Sequence, residues 1–192
     1  MNEAENELRM RNLRMLAVLA ALFLLPLATA FWVYYGTEWR PLRTVNNGEL
    51  IRPARPLPPA PEIFHGKWTL VYIGDGRCDD ECRQALYVMR QTRLALNNEM
   101  TRVERVFLAT SDCCAREFLA QEHPGLLVFD ATAGAWFSAV LSVFPVDGRA
   151  QSLFIVDPLG NLMMRYDVRQ NRQKPKGLLQ DLKKLLSLSH IG

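Results

Sequence analysis

Cysteine and histidine are both scarce in this chain, at four and three among 192 residues. Four cysteines are too few for a small scaffold stapled by disulfides. The histidines His65, His123 and His190 are scattered, and no Cys/His spacing of the zinc-module kind occurs. Charge of one sign is not in excess either. The net charge is +3, which excludes the strong basic field of a nucleic-acid-binding domain. A second long apolar run is missing, so a polytopic membrane protein is excluded. Apolar residues are plentiful, at 49% against 22% charged, and that excludes a largely disordered chain. What remains is one membrane-reaching segment and one domain of ordinary size.

The one long apolar run is Met15 to Tyr35, MLAVLAALFLLPLATAFWVYY, with no charge in it. Its length matches the hydrocarbon core of a bilayer, which takes about 20 residues of helix. Arg9, Arg11 and Arg14 precede it, and Trp32, Tyr34, Tyr35 and Trp39 gather at its far end. That order predicts a cytoplasmic N-terminus over residues 1–14 and a single-pass anchor over 15–35. A cleaved signal peptide is the competing reading, because Ala28-Thr29-Ala30 has the small-x-small pattern of a cleavage site. Both readings carry the rest of the chain across the membrane, which places it in the periplasm of a bacterium with the anchor in the inner membrane.

Residues 36–61 read as a proline-rich linker. Thr37 to Pro61 holds six of the eleven prolines, and Arg52 to Pro61 is incompatible with a helix or a central strand. An extended spacer and an irregular coil lying along the domain both fit.

Residues 62–192 then alternate between two periodicities. Trp68 to Ile73 is β-rich and stops at Gly74-Asp75-Gly76. Helical spacing runs from Asp79 to about Met100. Val103 to Ala109 is a second strand, Ala115 to Gln121 a short helix, Leu126 to Phe129 a short strand and Gly134 to Phe144 a helix. Ser152 to Val156 and Leu162 to Tyr166 make a hairpin about Asp157-Pro158-Leu159-Gly160-Asn161. Gly177 to Leu188 is an amphipathic closing helix. Strands alternating with helices predict an α/β domain with a mixed sheet flanked by helices, and chemistry beyond the carboxyl ends of its strands.

Two cysteine pairs stand at such ends. Cys78 and Cys82 follow the first strand at an i, i+4 spacing, close enough to bridge or to hold one soft metal ion such as Cu(I). A helix N-terminus there favours thiolate, while Asp79, Asp80 and Glu81 oppose it. An inert structural disulfide is the plain alternative. Cys113 and Cys114 follow the second strand. If the two strands are neighbours, all four sulfurs gather at one sheet edge, where they can exchange disulfides or share a metal. Alternatively, one of the later pair is a buried small hydrophobe and the other a bystander. The basic stretch of Arg165, Arg169, Arg172, Lys174, Lys176, Lys183 and Lys184 reads as a solvated face or as a surface for anionic lipid or an acidic partner.

Strand, turn, C-x-x-x-C and helix, followed by a second βα unit, a late hairpin and a closing helix, resembles the thioredoxin-like fold. Three segments carry a closer resemblance to the Sco/SenC family: Gly66-Lys67-Trp68-Thr69-Leu70-Val71-Tyr72-Ile73, Cys78-Asp79-Asp80-Glu81-Cys82 and Phe154-Ile155-Val156-Asp157-Pro158-Leu159-Gly160. Asn47-Gly48-Glu49-Leu50 and the vicinal cysteines also resemble proteobacterial membrane proteins whose genes accompany oxidase assembly factors. The resemblance implies a membrane-tethered thioredoxin-like protein that handles thiol–disulfide redox, with Cu(I) as an optional cargo, during cytochrome c oxidase assembly. Cys78 and Cys82 are then the redox pair or the copper ligands, and an oxidase subunit or another assembly factor is the partner. The alternatives are a thiolate-only copper chaperone and a non-catalytic scaffold with a structural bridge. One departure stands out: where the family carries its histidine copper ligand, before the Asp-Pro turn, this chain has Arg149. The cis-proline of thioredoxins is replaced as well, by Gln151.

Overall fold

The computed structural model describes residues 3–36, 46–59, 62–111, 116–169 and 176–189, in two units, Met1–Val45 and Asn46–Gly192. The first unit contains one helix, α1 (Glu3–Gly36). Its 28-residue stretch Arg9–Gly36 contains an 18-residue window of mean hydropathy 2.4 and has the length and composition to cross a bilayer. Pro26 lies inside it without ending it, and the Thr29 hydroxyl donates to the Pro26 carbonyl at 2.9 Å.

The second unit runs β1 (Glu49–Pro56), β2 (Trp68–Gly74), α2 (Asp80–Leu94), β3 (Val103–Ala109), α3 (Arg116–Glu122), β4 (Leu127–Phe129), α4 (Ala135–Val143), β5 (Ser152–Val156), β6 (Asn161–Asp167) and α5 (Lys176–Leu188). Its six strands form one sheet in the order β1-β6-β5-β2-β3-β4. β2 lies parallel to β3 and antiparallel to β5, so the sheet is mixed. The mixed α/β sheet is the one expected from the alternation of periods, and its arrangement is thioredoxin-like, as the resemblance implies.

Alternation along the buried strands sends side chains into two apolar layers. Leu70, Tyr72, Phe107, Leu153 and Ile155 meet the apolar sides of α2 and α5, among them Leu86, Met89, Leu178 and Leu182. Val71, Ile73, Val106, Leu108 and Phe154 meet Leu57, Phe64 and the α4 residues Phe137 and Val140 on the other face. The β5–β6 turn forms as its residues dictate. Asp157 Oδ1 accepts from the backbone N–H groups of Leu159 and Asn161 at 2.9 and 2.8 Å. Gly160 supplies the left-handed residue at φ 84°.

Two sequence expectations need correction. The linker expected over 36–61 is not all spacer: Glu49–Pro56 is an edge strand of the sheet, antiparallel to β6. The prolines allow this because the strand is on the edge, where a missing N–H interrupts no second ladder. A register irregularity between Leu50 and Arg55 absorbs Arg52-Pro53. Residues 37–45, 60 and 61 lie outside the described residues. The helix expected to run to about Met100 stops at Leu94. Asn97 takes a left-handed conformation at φ 51°, as asparagine does more readily than most residues, and a 3-10 turn covers Asn97–Arg102.

The start of β1 is fastened to α5 through one carboxylate. Asp181 is buried and accepts from Asn47 N at 2.7 Å, Gly48 N at 3.0 Å, Asn47 Nδ2 at 3.0 Å and the Tyr166 hydroxyl at 2.8 Å. Burial first, and then the bond to Asp181, push the Tyr166 hydroxyl far above the ordinary tyrosine range. Only glycine fits at 48, because a Cβ there would run into the Tyr166 ring. Removing the carboxylate strands several buried donors. Asp181→Ala is therefore expected to lower unfolding free energy by about 2–4 kcal/mol. A shift in the urea midpoint of the micelle-embedded protein reads this, and an unchanged midpoint would contradict the clamp.

Candidate functional site

β2 delivers its chain to the sheet edge at Gly74. The end of β2 is tied to the end of β3: Thr110 N and Thr110 Oγ1 donate to the Gly74 carbonyl at 2.9 and 3.2 Å. Gly76 N donates to Ser111 Oγ at 3.1 Å. Gly74 has to be glycine because a Cβ would stand 2.8 Å from the Tyr72 ring. That ring stacks on Phe107 at 5.6 Å, and its hydroxyl donates to the Ala150 carbonyl at 2.9 Å.

Cys78 and Cys82 are joined in a disulfide with Cα atoms 5.0 Å apart. Both are buried, at 1% exposure each. The helical i, i+4 geometry read from the sequence is not what joins them. α2 begins only at Asp80, and Cys78 precedes the N-cap in a left-handed conformation at φ 52°. Asp79 is the reason. Its carboxylate accepts from Cys82 N at 3.0 Å, so the first turn is capped one residue after Cys78. Cys78 N bonds back to the Asp75 carbonyl at 3.1 Å, and Arg83 Nε donates to the Cys78 carbonyl at 3.3 Å.

Charge around the bridge is negative and arranged. Asp79, Asp80 and Glu81 stand at the positive end of α2. Burial raises the Tyr72 hydroxyl well above its ordinary range, and the charges of Asp79 and Glu81 add to it. Hydrogen bonds from the Arg77 side chain, and then its backbone N–H, hold the Asp75 carboxyl down at about 2. Glu81 is paired with Arg169 at 2.6 Å.

Arg149, at the position of the family's histidine, belongs to a turn, Arg149–Gln151, that packs beside β2 and α2. Its guanidinium is taken up elsewhere: Nη2 donates to the Phe144 carbonyl at 2.7 Å and Nε to the Pro145 carbonyl at 3.1 Å, closing the end of α4. Among the described residues no group of three His, Cys, Asp or Glu side chains is placed to hold a metal ion. Cys113 and Cys114 lie outside the described residues, as do Arg172 and Lys174 of the basic stretch. Of the rest of that stretch, Arg165 donates to Ser152 Oγ at 2.8 Å and Arg169 is paired with Glu81.

Sequence reasoning missed three contributors to the site: Asp79 as the cap on Cys82, Arg83 on the Cys78 carbonyl, and Tyr72 in the same buried apolar cluster as both cysteines. An aspartate just before a helical run is a readable N-cap signal. The other two depend on tertiary packing.

A family model described as "Transmembrane-like, thioredoxin-like, C-terminal domain" matches residues 68–189. The chain is similar to copper-bound ScoI of Bradyrhizobium japonicum, at 16% identity over 62% of this chain and 86% of that one, with a TM-score of 0.45. It is similar to copper-bound yeast Sco1, at 19% identity over 62% and 80%, with a TM-score of 0.47. A SCO1/SenC family lipoprotein from Bacillus anthracis is similar at 16% identity over 64% and 83%, with a TM-score of 0.46. No curated protein matches the chain.

Asp79 caps the helix and also opposes a thiolate next to it, and Asp79→Asn separates the two effects by keeping a cap without the charge. In the reduced protein this variant is expected to lower the apparent thiol pKa by about half to one unit. Thiolate stabilises the reduced form, so the reduction potential rises by ~10–30 mV. Alkylation rate against pH and a glutathione titration read the two quantities. A pKa that rises, or a potential that falls, contradicts this account.

Proposed function

Because the chain belongs to the transmembrane-like, thioredoxin-like C-terminal domain family, we propose that it is a membrane-anchored thiol–disulfide protein acting on the cysteines of a partner. The observation that carries this reading is the Cys78–Cys82 disulfide at the carboxyl end of β2, where α/β sheets place their chemistry. In the reduced form one of the two thiolates attacks a partner disulfide, giving a mixed disulfide and a partner thiolate. The other cysteine then attacks that mixed disulfide, releases the second partner thiol and restores the Cys78–Cys82 bond. Two electrons pass to the partner, and the partner's sulfurs take up two protons. A dithiol donor of the same compartment returns the electrons. Following the Sco/SenC resemblance, the partner is an oxidase subunit or assembly factor, and the domain lies in the periplasm of a bacterial inner membrane. Cys113 and Cys114, just beyond Ser111, are the candidate second thiol pair, supported by the bond between Ser111 and Gly76.

Copper carriage is the second reading, favoured by the donor chemistry alone. Reduced Cys78 and Cys82 offer two soft thiolates, which suit Cu(I). A three-ligand site of the Sco type does not fit these residues, since Arg149 spends its guanidinium on the end of α4 and a guanidinium is not a ligand.

A redox titration of the full chain in micelles tests the first reading, with the Cys78–Cys82 crosslinked peptide followed by mass spectrometry. The expected result is a reversible two-electron transition above about −300 mV. A bridge that persists below that potential is structural. Anaerobic loading of the reduced protein with Cu(I) tests the second: stoichiometric copper that disappears in Cys78→Ser would make it the better account. Topology is tested separately, by an alkaline phosphatase fused after Gly192, which is expected to be active in an exporting cell.

A further inference from the structure

The Cys78–Cys82 bridge is shut away from an incoming thiol, since both cysteines are buried at 1% exposure. Exchange needs direct contact with a bridge sulfur. The loop therefore has to give way somewhere before the bond can react. Most of its points are held firmly. Gly76 N donates to Ser111 Oγ at 3.1 Å, Arg77 is paired with Asp75, and Cys78 N donates to the Asp75 carbonyl at 3.1 Å. On the other side of Cys78, Asp79 is fixed as the cap on Cys82 N. The Cys78 carbonyl is held by one side chain, that of Arg83.

Arg83 clasps two successive carbonyls. Its backbone N–H donates to the Asp79 carbonyl at 2.9 Å, which is the opening bond of α2. Its side chain folds back, and Nε donates to the Cys78 carbonyl at 3.3 Å. That carbonyl lies before the cap, where a helix supplies no N–H of its own. The guanidinium is steadied from the other side by the Phe118 ring of α3, 4.9 Å away at its centroid. Cys78 is left-handed at φ 52°, a conformation that a residue with a Cβ leaves once its surroundings release it. Arg83 is exposed, and with Tyr87 and Phe118 it lines a groove of about 510 Å³ between α2 and α3. The clasp is thus open to solvent while the sulfurs are not.

From this we propose that Arg83 is a positioning residue for the thiol–disulfide exchange: its clasp on the Cys78 carbonyl keeps the oxidised loop shut, and release lets Cys78 turn and present the bridge. This rests on the redox reading of the same pair. The step concerned is the return of electrons to the bridge. A thiolate of the dithiol donor attacks one bridge sulfur, the Cys78–Cys82 bond breaks, and the other cysteine leaves as a thiolate that takes up a proton. The donor's second thiol loses its proton and attacks the mixed disulfide. The donor departs oxidised, and the second cysteine is protonated in turn. Arg83 touches no reacting atom. It sets how often the loop is open for the first attack, and the rate follows that open fraction. Its charge has the opposite effect, because a cation near the bridge draws a thiolate in. Loss of the clasp speeds exchange, and loss of the charge slows it.

The test follows reduction of the oxidised full chain in micelles, read from the Cys78–Cys82 crosslinked peptide. Excess dithiothreitol is one reductant, and tris(hydroxypropyl)phosphine, which is uncharged, is the other. The phosphine should reduce Arg83→Gln about three- to tenfold faster than the parent chain, for the loss of one hydrogen bond and its ring support. Dithiothreitol, as a thiolate, should show a smaller gain. Arg83→Lys keeps a donor and the cation and should fall between the two. Phe118→Leu leaves Arg83 in place without its ring and should also speed reduction. In urea well below the unfolding midpoint the gain should stay constant, as local opening requires. An Arg83→Gln chain that the phosphine reduces no faster than the parent overturns the proposal. If that variant does not fold, the same result in Phe118→Leu does so. A gain that climbs steeply with urea also overturns it, since the bridge is then reached by global unfolding. The redox reading fails separately, on the equilibrium titration of the bridge, which the ratio of these rates does not enter.

Discussion

A strand with every residue buried has one constraint: its chain must leave the core at an end. In β2 all seven residues are buried, between β3 on one side and β5 on the other, with helices over both faces. The loop after Gly74 is therefore pinned from several directions before any functional residue appears. Thr110 and Ser111 fix it to the end of β3, and Tyr72 ties the strand to the turn before β5. A cysteine placed in that loop inherits a fixed position. The left-handed backbone at Cys78 persists because its surroundings over-determine it.

The same constraint decided what was legible in the sequence. Strands buried on both faces announce themselves as continuous apolar runs, and residues 106–109 of β3 and 153–156 of β5 lie where those runs lie. The hairpin turn was legible because Asp157 and Gly160 carry its geometry in their own chemistry. β1 was illegible for the opposite reason. Its prolines speak against pairing, and only the position at the edge beside β6 makes them harmless. At the site, the pairing of Cys78 with Cys82 was readable from spacing, but the mechanism was not. Spacing treats both as helical, whereas Asp79 starts the helix between them.

Asp79 also settles a competition that spacing left open. A helix N-terminus stabilises whichever anion reaches it. Here the Cys82 N–H is already committed to a carboxylate at 3.0 Å, and Asp80 and Glu81 share the first turn. A thiolate formed on reduction meets a dipole already partly compensated by acids. These acids oppose a thiolate at Cys82, and to that extent the local field favours the bridged form.

Arg149 shows how little of a site is carried by fold alone. The turn it occupies is beside β2 and α2, yet its side chain binds the last carbonyls after α4. A histidine there has no reach or fork to make those two bonds, and an arginine cannot coordinate a soft metal. Arg149 is therefore a helix-end anchor set in a turn beside β2 and α2. The two sulfurs behind this acidic rim can form one bond, break it, or hold one two-coordinate soft ion between them.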